Sequence, residues 1–294
     1  RYLQLEIETA DEPLTIDDLY GTFTAYPFVR KSRFEAPENP ELERMLDIGW
    51  RTARLCAHDS YMDCPYYEQL QYFGDTRIQT MVTLYNTDDK YMVRNALEQG
   101  RQSMTPDGIT LGRYPSLLPQ FIPSFSVWWI GIGYDLWQYR GDEEYLRTLL
   151  PAFRSVVAWY ERYLKPDGSL KGIPYWFFID WAPGHNGGMP KREKEGDSSI
   201  QDLHLLLAYR YLAAMEEGFG IPALAGYYRE QERRMKEGFK AKYWDEGRGL
   251  FADTKMRDRF SQHANTLAVL AEVVTGEEAR EVMERTLADS TLIK

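Results

Sequence analysis

From about residue 37 to the C-terminus, apolar residues recur at spacings of three and four in nine separate stretches, with little period-two alternation between them. That period marks one face of an α-helix, so the chain has to bury a series of helical stripes against one another. Leu42, Met45, Leu46, Gly49, Trp50, Ala53, Cys56 and Ala57 define the first, a buried helix over about 40–57. Asn39 stands at its N-cap and Pro40 at the first helical position, where a missing N–H costs nothing. The same reading predicts helices over about 75–85, 88–103, 126–139, 142–164, 199–217, 223–239, 262–274 and 277–289.

These helices are punctuated in pairs. TPDGIT (105–110) and KPDGSL (165–170) are Pro-Asp-Gly turns that each close a helical pair, and WDEGRGLFAD (244–253) closes the next in a similar way. Hairpins repeating with long loops on the return side point to a toroid or solenoid of paired helices rather than a four-helix bundle. Residues 1–33 read differently. YLQLEIE alternates and YGTFTAYPFV is rich in β-formers, so two short strands are expected there, the tail of a preceding β-sandwich or a linker, ahead of one helical domain over 34–294.

Charge and composition remove several function classes. The net charge is −10 with dispersed Lys and Arg, which repels a phosphate backbone or an anionic membrane surface, so no nucleic-acid partner is expected. The longest apolar runs fall short of the roughly 20 residues of a membrane span. Cys56 and Cys64 stand at no common metal-binding spacing and read as packed thiols, and His58, His185, His204 and His263 form no ligand motif. No metal or cofactor is expected. His204 and His263 read as hydrogen-bonded helix residues, with His263, beside Gln262 and Asn265, a candidate to face a site.

Aromatic residues make up 14% of the chain, and Trp and Tyr beside polar groups form platforms for sugar rings as readily as core. Two loops, over 106–125 and 172–199, are too long and too aromatic to be plain connections. KREKEGD (191–197), within the second, reads as a solvated face. The densest mixture of acids and rings is HDSYMDCPYYEQLQYFGDTR (58–77), at a corner between two helices. Asp75 opens the second of these helices, as its cap or as a functional group. Glu68 lies among Tyr66, Tyr67, Leu70, Tyr72 and Phe73, where lost hydration would disfavour its charged form and suit it to protonate a glycosidic oxygen. A solvated face or an ion pair to Arg77 is the plainer alternative.

DCPYYEQLQYFGD resembles the signature of the α-L-rhamnosidases of glycoside hydrolase family 78, with Asp63, Cys64, Pro65, Glu68, Gly74 and Asp75 in order. The resemblance implies that Glu68 is the general acid and that Asp63 and Asp75 contact rhamnose hydroxyls. FIDWAP is similar to the family's Asp-Trp pair lining the sugar pocket, which points to Asp180 and Trp181. WDEGRGLFADTKMRDRFSQHANTLAVL is similar to its late segment. Over roughly 35–290 the resemblance implies an all-α domain, the (α/α)6 barrel of six-hairpin glycosidases. Nine helices fall short of twelve, and the family's general base belongs to a segment expected after residue 294, so the C-terminal part of the ring is expected to be missing. The chain departs from many relatives at Tyr66-Tyr67, where they carry Arg and Asp, and at Gln71-Tyr72-Phe73, where they carry Leu-Gly-Trp. Tyr72 then becomes the sugar-facing ring, and Phe125, Trp128 or Trp129 matches a further family tryptophan, with Trp128 taken here.

The implied activity is inverting release of terminal α-L-rhamnose from an oligosaccharide or glycoside. The alternatives are a toroid glycosidase or lyase acting on another sugar, and a non-catalytic helical scaffold binding carbohydrate or protein. A terpene-cyclase-like toroid would need Asp-Asp-x-x-Asp, and both Asp17-Asp18 and Asp88-Asp89 lack the third aspartate. Oligomeric state, compartment and aglycone do not follow from the residues.

Overall fold

The computed structural model describes residues 3–193, 196 and 198–294, and among them nine α-helices form where the apolar period places them. They are α1 (Pro40–Leu55), α2 (Phe73–Asn86), α3 (Tyr91–Gln102), α4 (Pro123–Arg140), α5 (Glu143–Glu161), α6 (Ser199–Phe219), α7 (Pro222–Tyr243), α8 (Gln262–Leu270) and α9 (Gly276–Ala288). Pro40, Pro123 and Pro222 stand in the first turns of α1, α4 and α7, where their fixed φ suits the start of a helix. A two-stranded antiparallel pair, β1 (Trp244–Asp245) and β2 (Leu250–Phe251), shapes the turn after α7.

The pairing sorts the helices into two layers. α2 packs on α4, α4 on α6 and α6 on α8, while α3, α5, α7 and α9 lie outside this row, each against its hairpin partner or the next inner helix. Sequence composition explains the sorting. In α6, Leu203, Leu205, Leu206, Leu207 and Ala208 are all buried, so no face is left for solvent. By contrast α9 buries only Val282 and Thr286 and carries charge elsewhere. Close approach needs small residues: a Cβ on Gly100 would fall 2.1 Å from the Trp129 indole, whose Nε1 donates to the Leu97 carbonyl at 3.0 Å. Because successive helices in hairpins reverse direction, the inner helices α2, α4, α6 and α8 run the same way and bring their N-termini to one end.

Two sequence expectations fail. No strand forms among residues 3–30, and residues 3–24 are exposed throughout. β-forming side chains alternate there, but a strand needs a neighbouring edge for its backbone groups, and here only isolated bonds tie the segment down, such as Tyr26 N–H to the Ala57 carbonyl and Lys31 N–H to that of Asn86. The α1 stripe is also not buried. Leu42, Met45 and Leu46 are 39%, 65% and 44% exposed, and Asn39 caps the helix without a side-chain bond. The periodicity identified the helix correctly, but a stripe is buried only where another element covers it.

A buried acid outside the site gives a pH test. Asp202 on α6 is enclosed, and its oxygens accept the Leu170 N–H at 2.8 Å and the Tyr243 hydroxyl at 2.7 Å. Burial nonetheless pushes its carboxyl up to about 7. A carboxyl raised on folding stabilises fully below its unfolded value near pH 4 and loses that contribution as pH rises through the folded value. Melting temperatures from pH 5 to 8 should therefore fall for the native chain relative to Asp202→Asn, which carries no charge to desolvate. Parallel melting curves across that window would refute this account.

Candidate active site

The N-terminal ends of the four inner helices surround a cleft of about 670 Å³. α2 contributes Gly74, Asp75, Arg77, Ile78 and Met81, α4 contributes Phe125 and Trp128, α6 contributes His204, and α8 contributes His263, Thr266, Leu267 and Leu270. Asp63, Glu68 and Tyr72 enter from the 58–72 corner, and Trp176, Phe178, Asp180 and Trp181 enter from the long loop before α6. The unpaired N–H groups and positive dipole ends at helix starts favour carboxylates in such a place.

All seven residues expected from the sequence line this cleft: Asp63, Glu68, Tyr72, Asp75, Trp128, Asp180 and Trp181. Among the three aromatic candidates on α4, Trp128 and Phe125 reach it, whereas Trp129 is core, packed on Phe153 at 4.6 Å. Gly74 is required because a Cβ there would meet the Phe125 ring at 2.4 Å. Asp75 is not the helix cap, since Tyr72 holds that position and Asp75 lies in the first turn. Burial first, and then the nearby Asp63, Glu68 and Asp180, raise its carboxyl above the ordinary range. Asp63 accepts the Leu70 N–H at 2.9 Å and so closes the corner on itself.

The enclosure expected for Glu68 is absent. Its side chain is 52% exposed, and Tyr66 and Tyr67 point to solvent at 58% and 80% exposure. Neighbours one and two residues away on an irregular corner need not face the same side, so local ring density overstated the burial. The Glu68 carboxylate instead has a polar partner: the Tyr72 hydroxyl donates to Oε2 at 2.6 Å. Arg113, which the sequence reading did not single out, donates from Nη1 to the Tyr72 oxygen at 2.7 Å and stands 3.9 Å from Glu68 Oε2. Cys64 is only partly buried, and its sulfur accepts the Glu68 N–H.

Across the cleft, Asp180 accepts the N–H of Trp181 at 2.7 Å through Oδ1, and its Oδ2 lies 3.3 Å from His263 Nε2. The candidate placement of His263 at the mouth is therefore met. Trp181, 71% exposed, packs on Phe178 at 5.1 Å and Trp176 at 5.9 Å, forming an aromatic rim. On the inner side, the Arg77 guanidinium lies over both Trp128 (5.0 Å) and Tyr211 (5.1 Å) and pairs with Asp135 at 2.9 Å. That disposes of an Arg77–Glu68 pair. His204 is fully buried, with Nδ1 2.7 Å from the Ile200 carbonyl, and burial lowers its pKa to about 4. Within KREKEGD, Lys194, Glu195 and Asp197 lie outside the described residues, while Lys191 pairs with Asp258 at 2.7 Å. Among the described residues no cluster of three or more His, Cys, Asp or Glu side chains could hold a metal.

Two layers of helical hairpins with an acid- and tryptophan-lined cleft at the N-termini of the inner layer define a toroid-type carbohydrate-active domain. The chain belongs to the bacterial α-L-rhamnosidase six-hairpin glycosidase domain family, whose model matches residues 30–292. Solved structures agree on the fold. A glycoside hydrolase family 78 rhamnosidase of Bacillus sp. GL1 matches with a TM-score of 0.81 at 24% identity, over 92% of this chain and 28% of that one. A Klebsiella oxytoca rhamnosidase with rhamnose bound matches with a TM-score of 0.74 at 20% identity, over 92% of this chain and 50% of its own. An Aspergillus terreus α-L-rhamnosidase matches with a TM-score of 0.73 at 17% identity, over 90% and 30%. No curated protein matched the sequence. This chain thus spans between 28% and 50% of the length of these solved relatives.

Proposed function

We propose that this domain hydrolyses terminal α-L-rhamnosides with inversion at the anomeric carbon, Glu68 acting as general acid. The observation that carries the proposal is the Glu68 carboxylate at the mouth of a cleft whose walls combine Asp63, Asp75 and Asp180 with Trp128 and Trp181. Carboxylates accept sugar hydroxyls, and indole faces take the C–H side of the ring. Beside Arg77, His204, His263 and Thr266, the lining also carries the apolar Ile78, Met81, Ile122, Leu267 and Leu270, which fits a 6-deoxy sugar carrying a methyl group where a hexose has a hydroxymethyl. Related structures from Klebsiella oxytoca and Streptomyces avermitilis contain rhamnose.

Inversion needs a second carboxylate about 6.5–9.5 Å from the first, with water between them. We assign that base to a residue beyond 294. Asp63 is committed to the Leu70 N–H, and Asp180 to the Trp181 N–H and His263, roles that suit holding walls and hydroxyls. The test is a panel of aryl glycosides supplied to the full-length parent protein that carries this domain, with the first-formed anomer read by NMR. β-L-rhamnose released from the α-L-rhamnoside is the expected product. Turnover of a different aryl glycoside with none of the rhamnoside would move the reading to another sugar, and α-L-rhamnose as first product would overturn inversion.

A further inference from the structure

We infer that Tyr72, fixed by Arg113, is a positioning residue for the acid: it occupies Oε2 of Glu68, so that the proton given to the leaving oxygen is carried on Oε1. The inference rests on the reading of Glu68 as general acid.

The direction of the hydrogen-bond chain follows from what each group can do. A guanidinium has donors only, so in the 2.7 Å contact Arg113 Nη1 donates and the Tyr72 oxygen accepts. The single hydroxyl hydrogen of Tyr72 is then free for Glu68 Oε2 at 2.6 Å. Burial, and then the Glu68 contact, push the Tyr72 hydroxyl up to about 12, so it keeps that hydrogen at neutral pH. With Oε2 taken by a donor, the transferable proton belongs on Oε1.

The backbone supports the same arrangement. Tyr72 and Arg113 face each other across an antiparallel bridge, flanked by Phe73 N–H to the Gly112 carbonyl at 3.0 Å and Tyr114 N–H to the Gln71 carbonyl at 3.1 Å. Gln71 is buried and donates to the Tyr114 carbonyl at 2.8 Å, locking the two segments together. Glu68 itself is half exposed on an irregular corner. A long free side chain there would spread over several rotamers, and Tyr72 removes that freedom.

In the reaction the Oε1–H bond breaks as its proton passes to the glycosidic oxygen. The anomeric C–O bond breaks with its electron pair going to the aglycone, which leaves as a neutral alcohol. Water forms the new bond to the anomeric carbon and gives its proton to the carboxylate base. Glu68 is left as a carboxylate, and the charge on Oε2 then meets the Tyr72 hydroxyl and the Arg113 cation. Their contribution therefore grows as the proton departs, which is where it accelerates the step.

The charged and titratable groups on the surrounding walls are Asp63, Asp75 and Asp180, with Arg77, Arg113, His204 and His263. Tyr72→Phe keeps the ring and loses only the hydroxyl. On a phenyl rhamnoside, whose poor leaving group needs the acid, kcat should fall roughly tenfold to a hundredfold, with KM within about twofold. On a dinitrophenyl rhamnoside, which departs without a proton, kcat should stay near that of the native chain. Arg113→Gln removes a positive charge beside Glu68, so the alkaline limb of the kcat/KM profile should move to higher pH, and Arg113→Lys should restore part of the shift. Equal losses on both substrates with an unmoved alkaline limb would overturn the inference, as would an unchanged phenyl rate. Melting curves identify a misfolded Tyr72→Phe, and the Arg113 variants then carry the decision. Glu68→Gln separates the two readings: if its own loss ignores the leaving group, the acid assignment falls first.

Discussion

Glu68→Gln should lower kcat on a phenyl α-L-rhamnoside by roughly 10²–10⁴-fold, the usual contribution of a positioned general acid, while KM changes little. The substitution is nearly isosteric. Its amide oxygen can still accept the Tyr72 hydroxyl, and no core contact is lost because half of the side chain is exposed. The melting temperature should therefore stay within a degree or so, about 0.5 kcal/mol or less, as for surface sites. Activity would fall because a carboxamide has no transferable proton. A dinitrophenyl rhamnoside should recover most of the rate, since its leaving group departs unaided. Native-like turnover of the phenyl substrate by Glu68→Gln would eliminate the assignment of the acid and leave Asp75, a cleft carboxyl that burial raises, as the next to vary.

Most helices were legible because their stripes, such as Met92, Val93, Ala96 and Leu97 on α3, are buried against a neighbouring element. Pairing was legible from the Pro-Asp-Gly turns, which leave the chain no way to continue a helix. Asp63, Glu68 and Asp75 of the 58–77 corner could be read because they lie in one short motif, and they do converge on the cleft with Asp180 and Trp181. What the sequence did not show depends on long-range placement. Tyr72 and Arg113 are 41 positions apart, and nothing local marks Arg113 as the partner of a hydroxyl at the acid. His263 and Asp180 meet across 83 positions for the same reason. The outward turn of Tyr66 and Tyr67, the uncovered α1 stripe and the unpaired N-terminal segment share one cause. Composition reports what a side chain prefers, whereas burial depends on which element arrives to cover it.

The same dependence puts Arg77 between the helix packing and the cleft wall, so a change there should touch stability and, on the proposed function, substrate binding together. Arg77 from α2 lies against α4 through Trp128, Gly131 and Asp135, positions three and four apart on one helical face, and against Tyr211 of α6. A Cβ on Gly131 would fall 2.7 Å from Arg77 Nε, so glycine there lets the guanidinium lie on the helix. Asp135, 8% exposed at its side chain, accepts from Nε at 2.9 Å and from Nη2 at 3.3 Å. Asp135→Ala leaves the cation without its carboxylate in a site poorly reached by water. Losing one partner of such a pair costs about 3–5 kcal/mol, which corresponds to a drop in melting temperature on the order of 10 °C for a chain of this size. The guanidinium over Trp128 then loses its anchor, so KM for the rhamnoside should rise more than kcat falls. The double variant Arg77→Met with Asp135→Leu separates the two effects. Apolar replacement of a buried pair is often neutral or stabilising, so the melting temperature should return while KM stays high. A double variant with native KM would show that Trp128 holds its place by packing alone, without the guanidinium.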